Sequence, residues 1–178
     1  MSDQWLDDYN AASFLSQEGK LQESLDKLYE LSPTIREQEE LTSSFFIMFE
    51  QRCAWLCSQL GRQNDSLQHF LRAMKIAHEE EQDPIQVHAV CRELMDTIRL
   101  WENWQLLHDI GTNLIAFGEQ HDNKQVSMEA GLHLPYAHRG LGNFAKAREY
   151  AEVILSRVKE VDAADQVKDW TEFLESLP

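Results

Sequence analysis

Ser16-Gln17-Glu18-Gly19-Lys20-Leu21-Gln22-Glu23-Ser24-Leu25 returns further along the chain as Ser58-Gln59-Leu60-Gly61-Arg62-Gln63-Asn64-Asp65-Ser66-Leu67. In both stretches a Gly separates two helical patterns, and a small Ser follows five residues later, where a second helix has to approach the first. His138-Arg139-Gly140-Leu141-Gly142-Asn143-Phe144-Ala145-Lys146-Ala147 repeats the arrangement with Ala147 as the small residue. Arg99-Leu100-Trp101-Glu102-Asn103-Trp104-Gln105-Leu106 fills the same slot with Trp101 instead of Gly. The turn residues 19, 61, 101 and 142 are therefore 42, 40 and 41 residues apart. A fixed period near 40 made of paired helices predicts a helical solenoid.

Outward from these turns, almost every segment has a helical period. Phe46, Phe49, Cys53, Leu56 and Leu60 recur at three and four, as do Leu67, Phe70, Leu71, Met74 and Ala77. Trp104, Leu107, Leu114 and Phe117, and Ala147, Tyr150, Ala151, Ile154 and Val158, do the same. No alternating stretch reads as a strand, so the chain is expected to be all-α. The ends are signalled by Ser32-Pro33-Thr34 with Glu37 as a capping box, by Asp83-Pro84-Ile85 with Gln86 reaching back, and by Asp162 as the cap of a last helix. Nine helices are predicted over 4–17, 21–31, 35–59, 63–80, 85–100, 104–119, 124–140, 143–160 and 163–176. They group into repeats over 4–33, 35–82, 84–121 and 124–161, with a capping helix over 162–178, in one domain spanning 1–178. Pro135 is expected to kink the first helix of the fourth repeat or to mark its late start.

Leu141-Gly142-Asn143-Phe144-Ala145-Lys146-Ala147-Arg148-Glu149-Tyr150 resembles the turn and the small-then-aromatic second helix of tetratricopeptide repeats. Leu60-Gly61 with Ser66, Phe70 and Ala73 is a second instance, and the resemblance covers most of residues 5–161. It implies a right-handed helix-pair solenoid of about four extended repeats. It also implies a protein-interaction function. The period exceeds the family's usual length of about 34 residues, and the third repeat lacks the turn Gly.

Composition excludes several classes. Sixteen Lys+Arg against 31 Asp+Glu give a formal net charge of −15, and residues 1–50 alone carry −8. That balance offers no cationic field to a nucleic-acid backbone or an anionic membrane. No apolar run approaches the roughly 20 residues of a spanning helix, and the acidic Met1-Ser2-Asp3-Gln4-Trp5 is not a signal peptide. A cytoplasmic location is expected. Cys53, Cys57 and Cys91 form no C-x-x-C pair and read as buried free thiols. Glu79-Glu80-Glu81 and Glu37-Glu39-Glu40 read as solvated helix ends and starts.

No Gly-rich phosphate loop, zinc-protease motif or nucleophile elbow occurs, since Gly140-Leu141-Gly142 follows a helix rather than a strand. His108-Asp109 and His121-Asp122 lack recognisable flanking ligands. His88 and Cys91 share a helix face, with His133 about one repeat on; a metal enzyme built on these and His108 is the weakest of three readings. No catalytic constellation, cofactor or metal site is expected. In a helix-pair solenoid the first helices line the concave face. Counting back nine residues from each turn gives Asn10, Arg52, Arg92 and His133; two or three gives Gln17, Gln59, Arg99 and Arg139; six gives Ser13, Trp55, Met95 and Tyr136.

The expected peptide-binding stripe is Arg52, Trp55, Gln59, His88, Arg92, Met95, Arg99, His133, Tyr136 and Arg139. Its arginines suit carboxylates, and its aromatic and Met side chains suit apolar anchors. The competing expectation is that Arg52 and Arg92 pair with Glu50, Glu93 or Asp96. The leading reading is a non-enzymatic adaptor, regulator or chaperone that captures a protein segment as a monomer or homodimer. The alternatives are a constitutive subunit or homo-oligomeric component of a larger assembly, and a chaperone of a secreted protein.

Overall fold

Helical periodicity and short turns between helices are carried into three dimensions among the described residues. The computed structural model describes residues 4–38 and 41–178. Among the described residues there are nine α-helices and no strand: α1 (Gln4–Gln17), α2 (Leu21–Arg36), α3 (Ser43–Gln59), α4 (Gln63–Ile76), α5 (Pro84–Leu100), α6 (Trp104–Gln120), α7 (Lys124–Gly140), α8 (Phe144–Glu160) and α9 (Ala164–Glu175). A π-helical turn, Ala77–Glu81, continues α4. No helix is long and apolar enough to cross a membrane.

The largest departure from the expected elements lies between α2 and α3. Ser32-Pro33-Thr34 does not open a helix; α2 runs through Pro33 to Arg36, because Leu28, Leu31 and Ile35 continue one buried stripe past it. Burying each such side chain is worth about 1.5–3 kcal/mol, comparable with the roughly 3 kcal/mol that a mid-helix Pro costs. The third helix starts at Ser43, where Thr42 accepts a hydrogen bond from the Phe45 amide at 3.3 Å. Glu39 and Glu40, placed by sequence in that helix, lie outside the described residues, as do Met1, Ser2 and Asp3. Pro135 likewise lies within a continuous α7, so it does not mark a late start. Gln86 does not reach back to its own cap. Asp83 accepts from the Ile85 amide at 2.8 Å, while the Gln86 amide donates to the Ser44 hydroxyl at 3.1 Å.

The chain divides into two compact units, Met1–Val90 and Cys91–Pro178. In the first, α1 packs on α2 and α3 on α4, around Ala12, Leu25, Leu28, Ile35, Cys53 and Leu56. The small serines do what their spacing requires. Ser24 donates to the Ala12 carbonyl at 2.7 Å, and Ser66 donates to the Ala54 carbonyl at 2.8 Å, each tying a helix to the one before it. Cys53 and Cys57 are buried free thiols in this unit, and Cys91 is one in the other.

In the second unit α6 packs on α7, α7 on α8 and α8 on α9. The last pair encloses Ala147, Ala151, Ile154, Val158, Trp170 and Phe173. Ser127 repeats the serine device, donating to the Ile115 carbonyl at 3.2 Å. Gly118 lets the two helices meet there, since a Cβ on it would lie 2.7 Å from the Asn123 carbonyl oxygen and 2.8 Å from the Ser127 amide nitrogen.

The turns obey a finer rule than the forty-residue period. Left-handed backbone occurs at Gly19 and Gly61, then at Gln82, Glu102, Asp122, Gly142 and Asp162. From Gln82 onward one such residue falls every 20 positions, so each helix with its turn is a unit of constant length. Glu102, with φ of 55°, is the turn residue of the third pair, not Trp101. Asp162, with φ of 53°, is itself a turn residue and does not cap α9, whose cap position is Ala163. After three of these turns an Asn closes the helix start: Asn103, Asn123 and Asn143 accept from the amides of Leu106, Val126 and Lys146 at 3.2, 3.2 and 3.3 Å.

Candidate functional site

The expected stripe falls on both units, and each part has its own geometry. In the first unit α3 presents Met48, Arg52, Trp55 and Gln59 on one face, at the three- and four-residue spacing of a helix. Met48 and Trp55 are 46% and 42% exposed, and Gln59 is exposed. Arg52 lies between them with its Nε buried and without a hydrogen-bond partner. Beside the stripe, Tyr9 of α1 packs on Phe45 and Phe49 with ring centroids 5.5 and 6.5 Å away. Burial pushes the Tyr9 hydroxyl pKa up, and the Arg52 charge only partly offsets it. His88, on the first half of α5, is half-buried.

Glu50 is not the partner of Arg52. Positions two apart on a helix are separated by about 200°, and Glu50 points into a polar cluster on the other side of α3. Its Oε2 accepts from His69 Nδ1 at 2.6 Å and from Arg72 Nε at 2.9 Å, and its Oε1 accepts from Arg36 Nη2 at 3.2 Å. The Tyr29 hydroxyl lies 2.9 Å from His69 Nε2 and 3.4 Å from Cys57 Sγ, so a chain of polar contacts runs from Glu50 to the thiol. Burial pushes the Glu50 carboxyl up. Hydrogen bonds from His69 and Arg72, with the charges of both, outweigh it and hold the pKa below the ordinary carboxyl value. Burial pushes the Tyr29 hydroxyl and the Cys53 thiol well up, and Cys91 up to about 12. These groups stay protonated at neutral pH, which makes them poor nucleophiles. Glu50 sits on the apolar stripe of Phe46, Ile47, Phe49 and Cys53, and that misplaced charge was the available sequence signal for the cluster.

In the second unit three expected residues converge. The Arg99 guanidinium lies 4.9 Å and the Arg139 guanidinium 5.6 Å from the Tyr136 ring centroid, with Arg139 also 4.8 Å from that of Phe173. Trp170 and Phe173 of α9 complete the aromatic group at 5.6 and 4.9 Å from Tyr136. Asp96 pairs with Arg99 at 3.2 Å, and Arg139 donates to the Ser176 hydroxyl at 3.4 Å. Arg92 is exposed on α5.

Two residues of the stripe are not available to a ligand. Met95 is fully buried, and its Cε lies 3.0 Å from where a Cβ on Gly111 would stand. His133 is also buried, with Nε2 at 3.4 Å from Glu129 and Nδ1 without a partner. Both sit on the faces that close α5 and α7 onto neighbouring helices, which equal spacing from a turn does not reveal. Among the described residues no three His, Cys, Asp or Glu side chains are placed to hold a metal ion. His108 instead contacts Asp109 at 3.2 Å and stands edge-on to His138 with ring centroids 5.1 Å apart. Compared with known proteins, the chain matches no family model, and no curated protein matches it.

Proposed function

We propose that this chain is a non-enzymatic, tetratricopeptide-like helical-repeat module, a right-handed solenoid of helix pairs with a capping helix. Its role is to capture an acidic, apolar-anchored segment of a partner protein. The observation that carries this reading is Arg52. In a chain with 31 acids its guanidinium has no ion-pair partner among the described residues, and its Nε is buried without an acceptor. A ligand carboxylate beside the half-buried Arg52 side chain would neutralise its charge, with Met48 and Trp55 taking apolar side chains on either side. In the second unit Arg99, already paired with Asp96, and Arg139, bonded to Ser176, add two cations beside the Tyr136 ring.

The test is titration of fluorescein-labelled peptides, combining Asp or Glu with Leu or Phe, into the full chain and its Arg52→Ala and Trp55→Ala variants. The expected result is binding weakened about tenfold or more in each variant, with a melting temperature within about 2 °C of the parent. Unchanged binding by Arg52→Ala, or equal binding of basic peptides, contradicts the reading.

A second reading, a subunit of a larger assembly, is favoured by apolar residues exposed at one end of the second unit. Leu100 is 78% exposed, and Leu141 and Phe144 are exposed too; the Trp104 ring lying against Gly140 brings their two turns to the same end. Light scattering separates the readings, because a monomer at micromolar concentration disfavours the second.

A further inference from the structure

On the side of α3 opposite the Arg52 stripe, the first unit contains a cleft of about 450 Å³ lined by Arg36, Phe46, Glu50, Arg72, Lys75, Ile76 and Glu80. That volume falls in the range of small-molecule sites, about 300–1,000 Å³. Its lining joins three cations, two carboxylates and two apolar side chains.

The carboxylates are already committed. Glu50 is buried under Arg36, Arg72 and His69, and Glu80 accepts from the Ser43 hydroxyl at 3.0 Å. The cations are not exhausted. Arg36 contributes one of about five guanidinium donors to Glu50 and remains 62% exposed, while Arg72 remains 44% exposed. Among the described residues Lys75 has a single loose ion pair, with Glu79 at 3.8 Å, which does not line the cleft. Phe46 and Ile76 supply an apolar wall next to these spare donors.

We infer that this cleft binds a small amphipathic monocarboxylate, its head group bridging Arg36 and Lys75 and its apolar body lying on Phe46 and Ile76. Among the described residues the lining holds one positive charge beyond its two carboxylates, which one negative charge balances. A dianionic phosphate ester would add a second charge facing Glu50 and Glu80. Glu50 serves as the buried counter-charge that fixes the two guanidinium groups in place before a ligand arrives. This site is independent of the peptide reading, since it uses neither Arg52 nor Trp55.

The test is a nuclear magnetic resonance and calorimetric titration of the full chain with octanoate, with acetate, octyl phosphate and octylamine as comparison probes. Octanoate is expected to shift the amides of Arg36, Phe46, Arg72, Lys75 and Ile76 and to bind more tightly than the other three. Affinity should fall about tenfold in Arg36→Gln/Lys75→Gln, as expected for losing charge-assisted hydrogen bonds. It should fall measurably in Lys75→Gln alone, which disturbs only an exposed ion pair. Arg52→Ala should bind octanoate as the parent does, whatever its effect on peptides. The inference is overturned if octanoate leaves those amides unmoved, or if Lys75→Gln and the double variant bind it undiminished. Acetate binding as well removes the apolar wall from the account, and octyl phosphate binding as well removes the monoanion assignment; either result overturns the proposal.

Discussion

Glu50 shows how one misplaced charge organises its surroundings. A carboxylate on the apolar stripe of α3 has to be neutralised, and cations from α2 and α4 do so together with His69. Breaking a buried pair leaves the partners uncompensated, which typically costs about 3–5 kcal/mol. Glu50→Ala is expected to destabilise the chain by about that amount in urea titration, whereas Arg52→Ala should change stability by about 1 kcal/mol or less. The pH dependence follows from the direction of the Glu50 shift. Its carboxyl is held below the ordinary value, so its stabilisation is present above about pH 4.3 and is lost as pH falls through the lowered native value. Glu50→Gln should flatten that part of the acid-unfolding profile. That Glu50 is special was legible from its position among Phe46, Ile47, Phe49 and Cys53. Its partners were not, because Arg36 and Arg72 stand 14 and 22 residues away and only the packing of three helices brings them in.

At the scale of elements, sequence reading did best where periodicity and turn chemistry agree. From α4 onward every helix start lies within one residue of its expectation, because short turns coincide with the end of an apolar stripe. At α2 the two signals conflict: Pro33 marks a boundary in the sequence, but the apolar stripe continues through Ile35 and the helix with it. The Asn103, Asn123 and Asn143 caps carry a sequence signal of their own, an Asn at each twenty-residue step. The α6–α7 contact yields a sharp comparison between two glycines. A Cβ on Gly118 would meet backbone atoms at 2.7 and 2.8 Å, while one on Gly111 would meet the side-chain tips of Met95 and Leu134 at 3.0 and 3.1 Å. Gly118→Ala should therefore cost about 1–3 kcal/mol, as overpacking does, and Gly111→Ala clearly less, as read from paired thermal melts. Across α6, α7 and α8, burial and the neighbouring His108 and Lys146 charges lower the His138 pKa, with Glu149 opposing them and Tyr150 stacked at 5.3 Å. A lowered imidazole pKa stabilises the neutral form. Its contribution is present above about pH 6.5 and is lost as pH falls through the native value. His138→Phe should remove this dependence in melts between pH 7 and 5.

For the whole molecule, charge dominates. A net charge of −15 over 178 residues makes the folded chain repel itself. Raising salt from about 10 to 150 mM shortens the screening length from about 30 to 8 Å, and the melting temperature should rise over that range. The same field opposes the approach of acidic ligands, so their association should speed up with added salt, the reverse of ordinary electrostatic steering. Stopped-flow titration of the peptides proposed above measures it directly. Composition made this envelope legible, whereas the placement of Arg99, Tyr136 and Arg139 around one ring required the fold. The even count from Gln82 to Asp162 has a further consequence, for how the chain tolerates change in length. Removing one residue from a helix turns everything after it by about 100°. Within α7 such a deletion would carry the buried face away from α6 and α8 while every side chain kept its chemistry. Substitutions there are judged one site at a time, but a deletion puts the rest of the helix out of frame with both neighbours.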